Sequence, residues 1–299
     1  MSTAEHRIVA IGGGHGLAVT LRAARRYADT LTAVVTVADD GGSSGRLRQL
    51  TGLPAMGDLR RCLSALADPK SRLGELLEHR FDGDLDGHAL GNLLIVSLAS
   101  RLGFTAAIAE LARLVGLPAG ATVLPVTEAP VVLVAETGAG IRRGQVAVQR
   151  SSSIKRVALE PAGAPAAPGV VDAIAAASQV VLGPGSLYTS VLAAAVLPGV
   201  RDALAAASGQ VVYVCNLRPQ IPETDGYDVG AHISALRDHG IDPDVVVCHP
   251  GAVPVGDAES RLGVEIVTAP VATAGGLAHD PVRLGPVLRS LLGRSAPPG

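Results

Sequence analysis

The chain has 299 residues, 48% hydrophobic and 17% charged, with a net charge of -2. It is therefore neither disordered nor fibrous, is long enough for a sizeable core, and has no global charge for holding nucleic acid or an anionic membrane. Aromatics make up 2% with no Trp, so the core must be built from Ala, Val, Leu and Ile, and base-stacking platforms are not expected.

The first strand-like run, RIVAI at 7–11, ends in GGGHGL, where Gly12, Gly13, Gly14, His15 and Gly16 precede a helical period. Glycines at such a junction allow a tight turn and let backbone N–H groups approach an anion at the helix start. The spacing is neither the Gly-x-Gly-x-x-Gly dinucleotide pattern nor a Walker loop, and a purely structural turn is the alternative. TAVVTV at 32–37 is a second buried strand, and it ends in Asp39 and Asp40. An acid there can take a ribose hydroxyl, hold Mg²⁺ through waters, or simply make a turn. Ser43 and Ser44 follow, able to cap a helix or donate to phosphate oxygens, and Arg46 lies just beyond.

In GDLRRCLSAL, Asp58 stands where a helix cap belongs, and Arg60 and Arg61 fall in the first turn, where a cation opposes the helix dipole. That misfit calls for an anionic partner to at least one of them. GHALGNLLI sets Asn92 at the start of a helical stretch running from Leu90 to Val115 and broken near Gly103, as a cap or as an amide emerging into a site. ATVLPV, APVVLVAET and GQVAVQ, separated by turn signals such as GAGIRRG, read as strands joined by a hairpin. The segment at 160–169, EPAGAPAAPG, reads as a surface connection.

Alternation then resumes. QVVLG runs into Gly183, Pro184, Gly185 and Ser186, a second strand–glycine turn–helix unit and so a second anion-ready terminus. QVVYVC ends in Asn216, followed by Glu223, Thr224 and Tyr227, the last able to stack on a ring or to pack on the surface. DVVVC, VEIV and a helix from about Pro281 complete the chain. Near-continuous Val/Ile/Leu strands between amphipathic helices predict a doubly wound, Rossmann-like parallel sheet. The expected organisation is one α/β domain, with a helical insertion at about 58–117, an antiparallel hairpin excursion at about 121–160 and the second half of the sheet at about 170–292. Its ligand should lie beyond the strands' carboxyl ends, at a topological switch point.

Cys62, Cys215 and Cys248 are far apart with no Cys-x-x-Cys pair, which indicates neither a disulfide framework nor a thiolate zinc site. No apolar run approaches the ~20 residues of a membrane helix, and the opening residues lack a secretory pattern, so a cytoplasmic location is expected. No nucleophile elbow or metal-binding His pair is present.

GGGHGL, VTVADDGGSSGRLR, GDLRRCLSAL, GHALGNLL, LGPGSLYTS and YVCN occur in an order that resembles the YvcK family of gluconeogenesis factors, relatives of the CofD 2-phospho-L-lactate transferases. ADDGGSSGRLR followed by GDLRRCL is the most specific part. The resemblance implies a cytoplasmic UDP-sugar-binding protein, typically for UDP-N-acetylglucosamine, with roles in carbon-source adaptation, cell shape and wall synthesis. It implies that Gly12, Gly13, Gly14, Gly16, Asp39, Asp40, Ser43, Ser44, Asn92, Gly183, Gly185, Ser186 and Asn216 contact the ligand, and that Tyr227 lies against it. His15, Arg46, Asp58 and Arg60 are further candidates from the same motifs. Two departures stand out: the family usually carries Thr where this chain has His15, and Met-Thr-Gln-Pro-Gly-Glu-Thr where this chain has LRPQIPET. The rival reading is a CofD-like transferase, with Mg²⁺ on Asp39 or Asp40; otherwise no cofactor is implied. Partners would be the UDP-sugar and proteins of wall synthesis, with a homo-oligomer left open.

Overall fold

The computed structural model describes residues 5–85 and 87–292. Strand β1 (Arg7–Gly12) leads through α1 (Gly14–Ala24) to β2 (Thr30–Val35). Helices α2 (Gly42–Thr51), α3 (Gly57–Leu66), α4 (Arg72–Leu76), α5 (Leu90–Leu102) and α6 (Phe104–Leu114) precede β3 (Ala121–Pro125). An excursion of β4 (Val132–Thr137), β5 (Gly140–Arg143), α7 (Gln145–Gln149) and β6 (Ile154–Glu160) follows. The second half runs α8 (Val170–Ala175), β7 (Gln179–Leu182), a π-helical turn (Leu187–Leu192) continuing into α9 (Ala193–Ala195), then α10 (Pro198–Ala205) and β8 (Gln210–Val214). It ends with α11 (Val229–Asp238), β9 (Val245–Cys248), α12 (Ala258–Leu262), β10 (Glu265–Thr268) and α13 (Pro281–Leu291).

Seven strands form one sheet in the order β10-β9-β8-β7-β1-β2-β3, and every pairing in it is parallel. The chain builds outward from β1 to β3, returns to the other flank of β1 with β7, and builds outward again. The switch point therefore lies between β1 and β7. Every residue of β7 and of β9 is buried. Successive side chains point to opposite faces, so the sheet is covered on both, as continuous β-branched runs require. The expected doubly wound parallel sheet is the one found. The core is aliphatic, with Leu17, Leu21 and Ala23 of α1 and Val34 and Val35 of β2 all at 0% exposure.

The middle of the chain departs from the sequence reading. ATVLPV does not join the excursion: β3 pairs with β2 as the edge of the main sheet, with Leu31 opposite Ala121. GQVAVQ is the helix α7 rather than a strand, and the strand before it, β5, lies within the expected turn GAGIRRG. The third excursion strand is IKRVALE, which pairs antiparallel with β4 along its length. Its apolar positions alternate only in part, and tertiary pairing overrides that weak pattern. The helical insertion also begins earlier than expected, at Gly42. Among the described residues no single helix is long and apolar enough to cross a membrane.

Candidate functional site

The turns after β1 and β7 interlock at the switch point. A Cβ on Gly16 would sit 1.9 Å from the Pro184 carbonyl oxygen, and one on Gly12 would be 3.9 Å from Gly183. Thr20 of α1 donates to the Gly183 carbonyl at 2.6 Å and fastens the two turns together. Helix α1 starts from Gly13 with no side-chain cap and no acidic residue in its first turn. Its opening N–H groups, on Gly14, His15 and Gly16, therefore face outward with the positive end of the helix dipole behind them. A groove of about 460 Å³ opens over them, lined also by Asp39, Asp58, Arg61, Gln145, Gln149 and Gln220.

The two adjacent aspartates part company here. Asp39 Oδ1 accepts from Gly41 N–H at 2.9 Å and its carboxylate faces the groove beside Asp58. Burial pushes the Asp39 carboxyl above the usual carboxylate range; the Gly41 N–H opposes this and Asp58 adds to it. Asp40 turns away, its Oδ1 accepting from Val146 N–H at 2.9 Å at the start of α7. It anchors the excursion against the sheet. Asp58 is not the helix cap: Met56 occupies that position without a side-chain bond, and Asp58 Oδ1 accepts from Arg61 Nη1 at 2.7 Å. Its other oxygen lies against Gly13, where a Cβ would come within 2.5 Å. Arg61 Nε is buried without a protein partner. For magnesium, Asp39 and Asp58 fit an ion held mostly by water and ligand phosphates. Among the described residues no cluster of three or more His, Cys, Asp or Glu side chains could cage a metal.

Beyond Asp39 the groove continues into a chamber of about 170 Å³ lined by Ser43, Ser44, Gly57, Arg60, Arg80 and Asn92, among others. Arg60, 1% exposed, grips Glu78 with Nε at 3.1 Å and Nη2 at 2.9 Å, and its Nη1 donates to Asn92 Oδ1 at 3.4 Å. Asn92 Nδ2 donates to Ser43 Oγ at 2.9 Å, and His88 Nδ1 lies 3.1 Å from the same hydroxyl. The anionic partner expected for an arginine of this turn is thus Glu78 for Arg60. None of Ser43, Ser44 and Asn92 caps a helix: Gly41 and Ala89 hold those positions, and all three side chains are buried. Arg46 is on the exposed side of α2, near Gly87, and lines none of these spaces.

The second expected anion site is already filled from within. Glu223 accepts from Tyr188 N–H at 2.9 Å, Thr189 N–H at 3.4 Å and Thr189 Oγ1 at 3.1 Å, so the helix start after Ser186 carries the protein's own carboxylate. Burial raises the Glu223 carboxyl, and these hydrogen bonds oppose the rise. Tyr227 joins Tyr188 through a 2.8 Å hydroxyl–hydroxyl bond and packs edge-on to His232, away from the groove lining. On the β8 side the groove opens into a third space of about 230 Å³, lined by Pro184, Gly185, Asn216, Arg218, Gln220 and His279 among others.

Several lining residues escaped the sequence reading. Gln145 and Gln149 share a face of α7, visible only if GQVAVQ is read as a helix. Gln220 and His279 carry no local motif. Arg61 was indicated by its place against the dipole.

Comparison with known proteins agrees with this architecture. The family described as 2-phospho-L-lactate transferase CofD matches residues 8–265. The gluconeogenesis factor of Halalkalibacterium halodurans is 40% identical over 251 residues, 81% of this chain and 77% of that protein. The gluconeogenesis factor of Bacillus subtilis is 39% identical over 238 residues, 78% of this chain and 74% of that protein. The crystal structure of a UPF0052 family member from Bacillus halodurans superimposes with a TM-score of 0.91 at 34% identity, covering 96% of this chain and all of that one. The interlocked turns, the strand order and these matches agree: the chain belongs to the CofD family, on its gluconeogenesis-factor (YvcK) branch.

Proposed function

We propose that this protein is a cytoplasmic nucleotide-sugar sensor that binds a UDP-sugar, UDP-N-acetylglucosamine in the first instance, in the groove at the switch point. In this role it couples carbon metabolism to cell shape and to proteins of wall synthesis. The observation that carries the reading is the uncapped start of α1, locked under the β7 turn by Gly16 and facing a groove that polar side chains line. A diphosphate set on those N–H groups is stabilised by backbone donors and dipole together. The groove extends both ways from there, leaving room for a base on one side and a sugar on the other.

Titration calorimetry with UDP-N-acetylglucosamine, with and without Mg²⁺, on the wild type and Asp39→Asn tests this. Tight, metal-independent binding that leaves the ligand intact supports sensing, and no binding of any UDP-sugar overturns it. The facing carboxylates of Asp39 and Asp58 favour one alternative, a Mg²⁺-dependent transferase. Under that reading binding requires Mg²⁺, a phosphorylated donor turns over, and Asp39→Asn abolishes both.

A further inference from the structure

Among the described residues, the three strands of the antiparallel excursion share no pairing with the seven-stranded sheet. Yet its helix α7 supplies Gln145, Val146 and Gln149 to the wall of the groove. Side chains of the body therefore help to set where that wall stands. Asp40 holds one side of the excursion through Val146 N–H. The far side, β6, is held by two residues that line none of the three spaces of the groove. The Tyr188 hydroxyl donates to the Ile154 carbonyl at 3.2 Å, and His239 Nε2 accepts from Val157 N–H at 2.9 Å.

His239 ends α11 and is 4% exposed. Its Nδ1 lies 2.6 Å from the Ala235 carbonyl. A carbonyl only accepts, so Nδ1 carries the proton and Nε2 is left as the acceptor that Val157 N–H needs. The bond to β6 thus exists in one protonation state and one tautomer, because a proton on Nε2 sets N–H against N–H. The surroundings do little to welcome that proton. The ring borders a slot of about 150 Å³ shared with Arg156 of β6 and Arg201 of α10, and the Tyr188 ring meets it edge-on at 6.1 Å between centres. Arg201 is itself bonded to Asp202. Burial lowers the His239 pKa below its ordinary value; the Ala235 carbonyl opposes the fall, Arg156 adds to it and Asp238 of α11 opposes it.

We propose that His239 is a positioning residue of the ligand groove: as neutral imidazole it latches β6, and through β6 the α7 wall, against the body, and when protonated it releases them. The connection is short. Val157 leads back through Ile154, whose carbonyl Tyr188 holds, and then through 150–153 directly into α7. The latch is closed above the ordinary histidine value of 6.5 and opens as pH falls through the lower value of the folded state. Its effect on affinity rests on the nucleotide-sugar reading above, whereas the latch itself does not.

Two measurements on the full chain test it, amide exchange across 145–157 and calorimetry with UDP-N-acetylglucosamine. Each is made at about pH 7.5 and about pH 5.5, on either side of the ordinary histidine value, on the wild type, His239→Gln and His239→Ala. Gln offers Val157 N–H an acceptor that does not titrate. In the wild type, acid should speed exchange across 145–157, after correction for the intrinsic rates, and weaken binding about fivefold, the net worth of one hydrogen bond. His239→Gln should match the wild type at the higher pH and lose this acid sensitivity, while His239→Ala should be loose and weak-binding at both. Unchanged protection of 145–157 in acid, or the same acid loss in His239→Gln, overturns the latch. Faster exchange with undiminished affinity overturns the positioning role. If no UDP-sugar binds at the higher pH while exchange still responds to acid in the wild type and not in His239→Gln, the latch stands and the nucleotide-sugar reading falls.

Discussion

Replacing Gly16 by Ala tests the central joint of the molecule. The new Cβ would lie 1.9 Å from the Pro184 carbonyl oxygen, 2.6 Å from its carbon and 3.2 Å from Gly185 N. All three are backbone atoms of a turn held by Thr20 and by Gly183 N–H, which donates to the Ile11 carbonyl at 3.0 Å. No side chain can swing aside, so the two turns must separate by roughly 1 Å, at the upper end of the 1–3 kcal/mol typical of overpacking. With a urea dependence of about 3 kcal/mol per M for a chain of this size, the unfolding midpoint should fall by about 1 M. The same shift carries the α1 N–H groups away from Gly185, so affinity for UDP-N-acetylglucosamine should drop as well. Gly14→Ala is the control: nothing lies within 4 Å of its Cβ, though its φ of +65° places Ala in the left-handed region, at about 1 kcal/mol. A Gly16→Ala protein that unfolds with the wild type, or is more stable than Gly14→Ala, would refute the interlock.

Three other outcomes follow from the same geometry. Asp40→Ala removes the acceptor for Val146 N–H and should cost about 1 kcal/mol, seen as faster amide exchange across 145–149 with the parallel sheet unchanged. Glu223→Ala strands three buried donors and should cost about 2–4 kcal/mol in denaturant titration, whereas Glu223→Gln, which keeps an acceptor, should cost much less. Because burial raises the Glu223 carboxyl, the folded state keeps its proton to higher pH than the unfolded chain. Its share of stability therefore falls as pH rises above the unfolded value, and Glu223→Gln should flatten that slope. His279 has the opposite sign: its folded pKa of about 4 lies below the ordinary 6.5, so stability is complete above pH 6.5 and is lost as pH falls towards 4. That share is about 3 kcal/mol, and acid titration of His279→Gln should lack it.

Architecture was readable in the chain because the main strands are long apolar runs and the helices between them keep clear faces. The antiparallel excursion and its strand in APVVLVAET were readable too, but its other elements were not, because they are short and half exposed. Ile154, Val157 and Leu159 of β6 are buried while Lys155 and Arg156 are exposed, a pattern that turns into a strand only when β4 is there to pair with it. Within the site, residue type and strand-end position located Asp39 and the glycine turns, since backbone needs are local. They could not assign partners. Whether Arg60 meets a ligand or Glu78, or Asp40 a ribose or Val146 N–H, depends on what distant segments bring to the same place. His279 and Gln220 arrive from segments with no motif of their own.

The two strand–glycine turns look equivalent in sequence, yet the fold leaves them in opposite states. Glu223 satisfies the helix start after β7, while α1 starts with no side-chain cap and no acidic residue in its own first turn. A ligand with two anionic ends would need both. The groove instead offers one backbone anion site at its centre, with carboxylates and Arg61 on one side and neutral acceptors and an amide on the other. That polarity suits a molecule with its phosphates in the middle and neutral, hydrogen-bonding groups at its ends. Nucleotide sugars are built this way, whereas inorganic pyrophosphate and bis-phosphorylated sugars are not, so these should compete with UDP-N-acetylglucosamine only weakly. Strong competition by pyrophosphate alone would show that the ends of the groove contribute little, and that the base and sugar are not what this site recognises.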